Sequence, residues 1–168
     1  CDIGIVDGRI TALEQRLDRA AREIEARDRV VTPGGVDAHC HLDQPMAPPA
    51  RMADGFDSGT RSAACGGTTT VIDFATAFHG QSLATALDRW SAKAAGRAVT
   101  DYAFHLAMTQ WRDELAAQMA EVASRGITSF KLYLAYRDTM MVDDGQVLAA
   151  LTTSARLGAT IGFHCENG

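Results

Sequence analysis

The sequence VTPGGVDAHCHLDQP, residues 31–45, decides the architecture of this chain. At its centre lie His39 and His41, separated by Cys40. Successive side chains of a β-strand point to opposite faces, so a strand here places both imidazoles on one polar face, with Asp37 and Asp43. The other face is apolar and carries Val36, Ala38, Cys40 and Leu42. At about 3.3 Å per residue the two histidine Cα atoms are roughly 6.6 Å apart, which lets both rings reach one cation.

Length and composition exclude several classes of protein. The chain has 168 residues, of which 46% are hydrophobic and 22% are charged, values typical of a soluble globular protein. A net charge of −5 argues against nucleic acid as the main partner, because a phosphate-binding face is rich in Lys and Arg. No apolar run approaches the length of about 20 residues that spans a bilayer. We therefore expect neither nucleic acid nor a membrane as a partner.

The cysteines and the two ends of the chain bear on location and completeness. The four cysteines show no CxxC spacing and no density typical of disulfides, so we interpret them as small apolar residues in a reducing cytoplasm. The N-terminal CDIGIVDGRI has neither the basic segment nor the apolar core of a signal peptide. Because the chain lacks an initial Met and stops directly after a predicted strand, we expect it to be a piece of a longer protein.

The first part of the chain predicts a small β-domain. Residues 3–17 have the pattern of a β-hairpin with Asp7-Gly8 as its turn. Residues 18–29 are highly charged and fit either a short helix or a pair of edge strands. We therefore assign residues 1–29 to part of a small flanking β-domain and residues 30–168 to a second domain.

A repeat of strand and helix follows the organising stretch. Strands are predicted at residues 68–75, 101–109, 129–136 and 159–166. Apolar residues at helical spacing predict helices at 56–64, from Leu83 to Ala94, from Trp111 to near Gly126, and from Val147 to Gly158. This alternation is typical of a parallel sheet, either doubly wound or closed into an eight-stranded barrel.

The barrel is the better of these two α/β folds. No G-x-G-x-x-G motif follows any predicted strand, which weakens the dinucleotide-binding alternative. The residues with chemical potential lie at the C-terminal ends of strands, where barrel enzymes place their sites. We therefore predict a partial TIM-type (β/α)8 barrel, made of its first five βα units.

Two further residues in these strands carry chemistry. Lys131 stands between apolar neighbours, and burial pushes the pKa of a lysine down toward a neutral, nucleophilic amine. The alternative is a lysine whose ammonium extends to the strand end. His164 ends the fifth strand of the barrel and is a candidate ligand, or else a core histidine bonded to backbone. We interpret His79 and His105 as structural.

Four motifs, in this order and spacing, resemble a known family: PGGVDAHCHLD, GGTTTVIDF, GITSFKLYLAY and FHCENG. They are similar to the cyclic amidohydrolases of the amidohydrolase superfamily, specifically the dihydropyrimidinases and hydantoinases. The resemblance covers essentially all 168 residues. It implies a homo-oligomer, a tetramer or a dimer, that opens the ring of a hydantoin or a dihydropyrimidine by hydrolysis.

The resemblance also implies a site with two divalent metal ions, usually zinc. His39 and His41 match the pair that binds the more buried ion, and His164 matches a ligand of the second. Lys131 matches the lysine that carbon dioxide carboxylates and that bridges both ions. Tyr136 matches the tyrosine that bonds the substrate carbonyl. Such ions lower the pKa of a bridging water, and the resulting hydroxide attacks the amide while the oxyanion is stabilised.

Departures from the family pattern leave alternatives open. The family's sixth-strand His and eighth-strand Asp lie outside these five strands, and QPMAPPARMADG after Asp43 differs from the usual hydantoinase continuation. Dihydroorotases and allantoinases usually carry Arg at the position of Asp43, which disfavours them here. A mononuclear deaminase would not need Lys131. A non-catalytic scaffold like the dihydropyrimidinase-related proteins would lose metal ligands that this sequence keeps.

Overall fold

The hairpin predicted at the N-terminus is present. The computed structural model describes residues 1–168 as two units, Cys1–Pro33 and Gly34–Gly168. In the first unit, strands β1 (Asp2–Val6) and β2 (Arg9–Glu14) pair antiparallel. The turn residues Asp7 and Gly8 have φ angles of 50° and 72°. Positive φ at both positions suits a two-residue turn, because it matches the twist of the flanking strands.

Residues 18–29 form neither the short helix nor the edge strands predicted for them. The stretch is exposed nearly throughout, and Ile24 is 76% exposed. A short helix is marginal in water unless packing supports its apolar face. The few apolar side chains of this stretch bury no such face, so the prediction of regular structure here is wrong.

Five parallel strands form the sheet of the second unit, in the order in which they occur along the chain. They are β3 (Gly35–Cys40), β4 (Thr68–Ala77), β5 (Asp101–Met108), β6 (Ser129–Tyr133) and β7 (Thr160–His164). Each strand pairs with the next, so every connection steps in one direction. A doubly wound sheet reverses this order, whereas a barrel keeps it. The predicted α/β fold, a partial TIM-type barrel with a small antiparallel sheet, is confirmed.

Four helices follow the strands. They are α1 (Phe56–Cys65), α2 (Leu83–Ala94), α3 (Glu114–Ser124) and α4 (Asp144–Leu157). The side chains of Ser82 and Asp143 cap α2 and α4, and Gly158, at a φ of 63°, ends α4. Helix α3 begins only at Glu114, so Trp111 lies in the loop before it. None of these helices has both the length and the apolar character that a membrane crossing requires.

The two faces of the sheet have different roles. The main core lies between the sheet and the helices and includes Trp90, Leu106 and Phe130. A separate small cluster on the opposite face, here called the inner face, consists of Phe74, Ala107 and Tyr133. Because side chains alternate along a strand, Lys131 shares the inner face with Tyr133. The candidate site lies on this face.

Candidate active site

A bulge in β3 includes His39 and ends just before His41. From Asp37 to Cys40 this strand advances three residues, whereas its partners on β4 advance by two. The strand ends at Cys40, so His41 lies just beyond it. The regular strand predicted through residue 43 is therefore shorter and irregular. The rings of His39 and His41 nevertheless lie side by side, with centroids 5.4 Å apart.

Phe74 lies at the centre of the site. Its ring centroid is 4.6 Å from that of His39 and 5.0 Å from that of His41. The Nζ atom of Lys131, from β6, lies 4.4 Å from the same centroid. Three of the residues singled out from the sequence thus meet around one aromatic ring, although they come from opposite sides of β4.

Lys131 is buried without a counter-charge. It is 8% exposed, and no carboxylate lies within salt-bridge distance of it. Its Nζ atom also lies 5.5 Å from the centroid of Tyr133. Desolvation by burial lowers the pKa of the ammonium group, which favours the neutral amine. A lysine that extends into solvent does not fit this placement.

His164 and Tyr136 form a second group at the end of β7. The His164 Nε2 atom lies 3.3 Å from the Tyr136 hydroxyl and 2.8 Å from the carboxylate of Glu166. The His164 ring centroid is 6.1 Å from that of Tyr133. Tyr133 therefore links this pair to Lys131, since its ring lies beside both.

The backbone holds Tyr136 in an unusual conformation. Its φ of 66° is uncommon for a residue other than glycine. The Tyr136 carbonyl accepts hydrogen bonds from the N–H groups of Thr139 and Met140, at 3.1 and 3.0 Å, and from the Thr139 hydroxyl at 2.8 Å. Such strain persists where the surroundings fix it, and it is frequent at functional sites. The phenol is thus held beside His164 while its side chain stays accessible, at 45% exposure.

The electrostatics of the histidine pair suit metal ligation. Burial lowers the pKa of His39 and of His41. The rings are therefore neutral near pH 7, the form in which imidazole binds a metal. The Nδ1 atom of His41 is buried and has no hydrogen-bond partner. Most buried polar atoms in proteins are hydrogen-bonded, so this nitrogen is available to bind a cation.

The donor set fits a divalent metal only with a modified lysine. No three His, Cys, Asp or Glu residues lie close enough together to hold a metal ion. Lys131, if carboxylated as the family resemblance implies, would supply the missing anionic ligand beside His39 and His41. The lowered pKa of its amine, its burial and the absence of a carboxylate partner all suit that modification. The residues present therefore fit the metal centre that the family resemblance implies.

Two polar residues beside the histidines were not among the predicted site residues. Asp73 lies in the strand TTTVIDFA, which was identified by its apolar character, and it is 1% exposed. His105, interpreted as structural, reaches the Ala38 carbonyl with its Nε2 atom at 3.0 Å. The sequence feature that could have identified both residues is an acidic side chain and a histidine inside strands that are otherwise apolar.

The chain belongs to the amidohydrolase family, whose sequence model matches residues 30–168. It is 42% identical to the D-hydantoinase of Geobacillus stearothermophilus, over 99% of this chain and 36% of that protein. It is 37% identical to the dihydropyrimidinase of Rattus norvegicus, over 99% of this chain and 33% of that protein. A crystal structure of a D-hydantoinase matches with a TM-score of 0.92 at 40% identity, over 99% of this chain and 36% of the other.

These similarities confirm the resemblance to hydantoinases and dihydropyrimidinases that the four motifs indicate. They also extend over nearly the whole chain. The chain spans about a third of the length of the relatives that it matches, between 33% and 36% of each.

Proposed function

We propose that the full-length protein hydrolyses a cyclic amide and opens the ring of a hydantoin or a dihydropyrimidine. The observation that carries this proposal is the gathering of two histidines and a buried lysine around Phe74, with a tyrosine–histidine pair beside them. The similarity to a D-hydantoinase and a dihydropyrimidinase supports the substrate class.

Two divalent cations, most simply zinc, are proposed to bind at this site. His39 and His41 would hold one of them, His164 the other, and carboxylated Lys131 both. Carboxylation needs the neutral amine, whose nitrogen bonds the carbon of carbon dioxide while one proton leaves to solvent. When bound, the cations supply Lewis-acid charge that lowers the pKa of a water molecule toward neutrality.

Tyr136 is proposed to stabilise the oxyanion. As water adds to the ring carbonyl carbon, the carbonyl oxygen gains negative charge, and the phenol donates a hydrogen bond to it. The ring C–N bond then breaks, the nitrogen takes a proton, and a carboxylate is formed. The contact of the Tyr136 hydroxyl with His164, at 3.3 Å, supports this role because it fixes the direction of the phenol.

The environment of Asp43 supports a ring without a carboxylate substituent. Its side chain accepts a hydrogen bond from the Phe56 N–H, at 3.0 Å, where α1 begins. Its carbonyl accepts from the Nζ atom of Lys93. The residue therefore holds the loop after β3 and brings no cation to the inner face. A hydantoin or a dihydropyrimidine suits this better than dihydroorotate, which carries a carboxylate.

A cytoplasmic location and a homo-oligomeric state are part of the proposal. All four cysteines are free thiols, which supports a reducing compartment. The oligomeric state rests on the family resemblance alone. Cell fractionation and light scattering on the full-length protein test these two points.

Ring opening by the purified full-length protein tests the proposed function. Hydantoin and dihydrouracil are incubated with zinc-loaded protein, with chelated protein, and with chelated protein resupplied with zinc and bicarbonate. We expect hydrolysis of at least one ring, its loss on chelation and its return on resupply. Failure to open either ring would favour a non-catalytic scaffold. Faster hydrolysis of dihydroorotate or allantoin in parallel assays would contradict the substrate class.

A further inference from the structure

Side chains replace the β-ladder around the backbone that carries His39 and His41. At the bulge in β3 the pairing with β4 is irregular between Asp37 and Cys40. A bulge frees backbone polar groups and re-aims side chains, and bulges are frequent beside active sites. Here a side chain from β4 and one from β5 bond backbone groups on either side of the histidine pair, the Leu42 N–H and the Ala38 carbonyl.

His105 anchors one end of this segment from the inner face. It belongs to β5, which does not pair with β3, yet its Nε2 atom lies 3.0 Å from the Ala38 carbonyl oxygen. A carbonyl oxygen only accepts, so Nε2 carries the proton, and in the neutral ring Nδ1 accepts from the Ser129 hydroxyl at 2.6 Å. The His105 ring centroid is also 4.8 Å from that of Phe74. The His105 imidazole thereby connects its own strand, β5, to β3, β4 and β6.

Asp73 anchors the other end from the helix-facing side of β4. Its Oδ1 atom accepts hydrogen bonds from the N–H groups of Leu42, at 3.3 Å, and Phe74, at 2.7 Å. The Trp90 indole is the third hydrogen-bond partner of this carboxyl group. Burying a carboxyl group is unfavourable unless it is hydrogen-bonded, so these bonds offset the cost of placing Asp73 in this strand.

We propose that His105 and Asp73 are positioning residues that set the spacing and direction of His39 and His41. The two anchored backbone groups bracket the histidine pair in the sequence. Anchoring both ends orders the imidazoles before a cation arrives, so less conformational freedom is lost on binding. This inference rests on the proposed function, because it assigns the pair to a cation.

Matched substitutions separate the two hydrogen bonds from packing. His105→Gln places an amide nitrogen at the distance of Nε2 and keeps a donor for Ala38, whereas His105→Asn places it at the distance of Nδ1 and loses that donor. Both remove the aromatic ring. Asp73→Asn keeps the Oδ1 acceptor and Asp73→Ala removes it. Ser154→Ala is the control, because it removes a bond of 2.7 Å from a buried hydroxyl to the Ala159 carbonyl, away from the inner face.

Hydrogen–deuterium exchange of the metal-free, full-length protein measures the anchors directly. We expect peptides covering residues 37–43 to exchange about tenfold faster in His105→Asn and Asp73→Ala, the effect of losing one hydrogen bond. His105→Gln, Asp73→Asn and the control should match the wild type in this segment. Equal exchange in all variants would overturn the proposal. Faster exchange spread evenly over β4 and β5 would also overturn it, because that result assigns a general stabilising role.

Zinc affinity measures whether the anchors serve the histidine pair. Partners that support a metal ligand typically change affinity 10–100-fold. We expect the zinc Kd to rise by about that factor in His105→Asn and Asp73→Ala, and by less than about threefold in the other variants. Equal zinc affinities of His105→Asn and His105→Gln, and of Asp73→Ala and Asp73→Asn, would overturn this inference and leave the proposed function standing. A wild-type protein that binds no zinc would overturn the proposed function, and this inference with it.

Discussion

The Nζ atom of Lys131 lies 4.4 Å from the centre of the Phe74 ring. An aromatic face attracts a desolvated ammonium group, so this contact partly offsets the loss of water around a lysine with no carboxylate partner. The attraction is weaker than that of a buried ion pair, and Lys131 forms no ion pair that carboxylation would have to break. The same ring contacts both histidines, so Phe74 brings the lysine and the histidine pair to one place.

Replacing Tyr136 with phenylalanine should separate catalysis from metal binding. We expect Tyr136→Phe to retain its zinc content and to lower kcat by about 10²–10³-fold, the usual effect of losing one oxyanion donor. Steady-state kinetics with metal analysis of the same sample measures both. Tyr102→Phe is the control, because Tyr102 lies at the N-terminal end of β5 and is 39% exposed. An unchanged kcat would assign Tyr136 to packing.

Lys131→Ala should be rescued by a small carboxylate. The substitution removes the proposed bridge, so we expect ring-opening activity to disappear in the full-length protein. A short carboxylic acid such as acetate, added with zinc, should restore part of it by occupying the vacated space. Chloride at equal ionic strength is the control. Full activity of the variant without any addition would contradict the carboxylated-lysine role.

The contribution of Asp73 to the free energy of unfolding should decrease as the pH rises. Burial raises the pKa of its carboxyl from 3.8 to about 6. Between these values the folded protein keeps a proton that the unfolded chain has lost, so this contribution is fully present below about pH 4 and is lost as the pH rises through about 6. Two pKa units correspond to on the order of 3 kcal/mol.

Urea unfolding of the wild type and of Asp73→Asn, at several values between about pH 4 and 7.5, measures this contribution. As the pH rises, the unfolding free energy of the wild type should fall relative to that of Asp73→Asn. Cys40 lies near Asp73 but has a pKa of about 12, so its thiol stays protonated across this range. A difference that stays constant across this range would show that Asp73 titrates like an ordinary carboxyl.

The elements of the second unit were predictable because their sequences carry strong local signals. Thr68–Ala77 is rich in β-branched residues, Asp143 begins a helix with a capping side chain, and Gly158 ends it. The sequential strand order follows from helices that each return the chain in the same direction. Residues 18–29 carry no comparable signal, and their structure was not predictable from the spacing of a few apolar residues.

The surroundings of the histidine pair were only partly predictable. Alternation along a strand correctly predicts that His39 and His41 lie side by side, but it assumes a regular register and so misses the bulge between Asp37 and Cys40, which contains His39. The contact between His105 and Ala38 joins strands that do not pair with each other. Such a contact depends on the curvature of the sheet, which local sequence patterns do not encode.

The number of zinc ions bound per chain tests the central claim most directly. The full-length wild type and Lys131→Ala are loaded with zinc and bicarbonate, dialysed, and measured by elemental mass spectrometry against protein concentration. If His39, His41, His164 and carboxylated Lys131 form the centre, the wild type retains two ions per chain and the variant at most one. A wild type without zinc, or two ions in both proteins, would contradict the account.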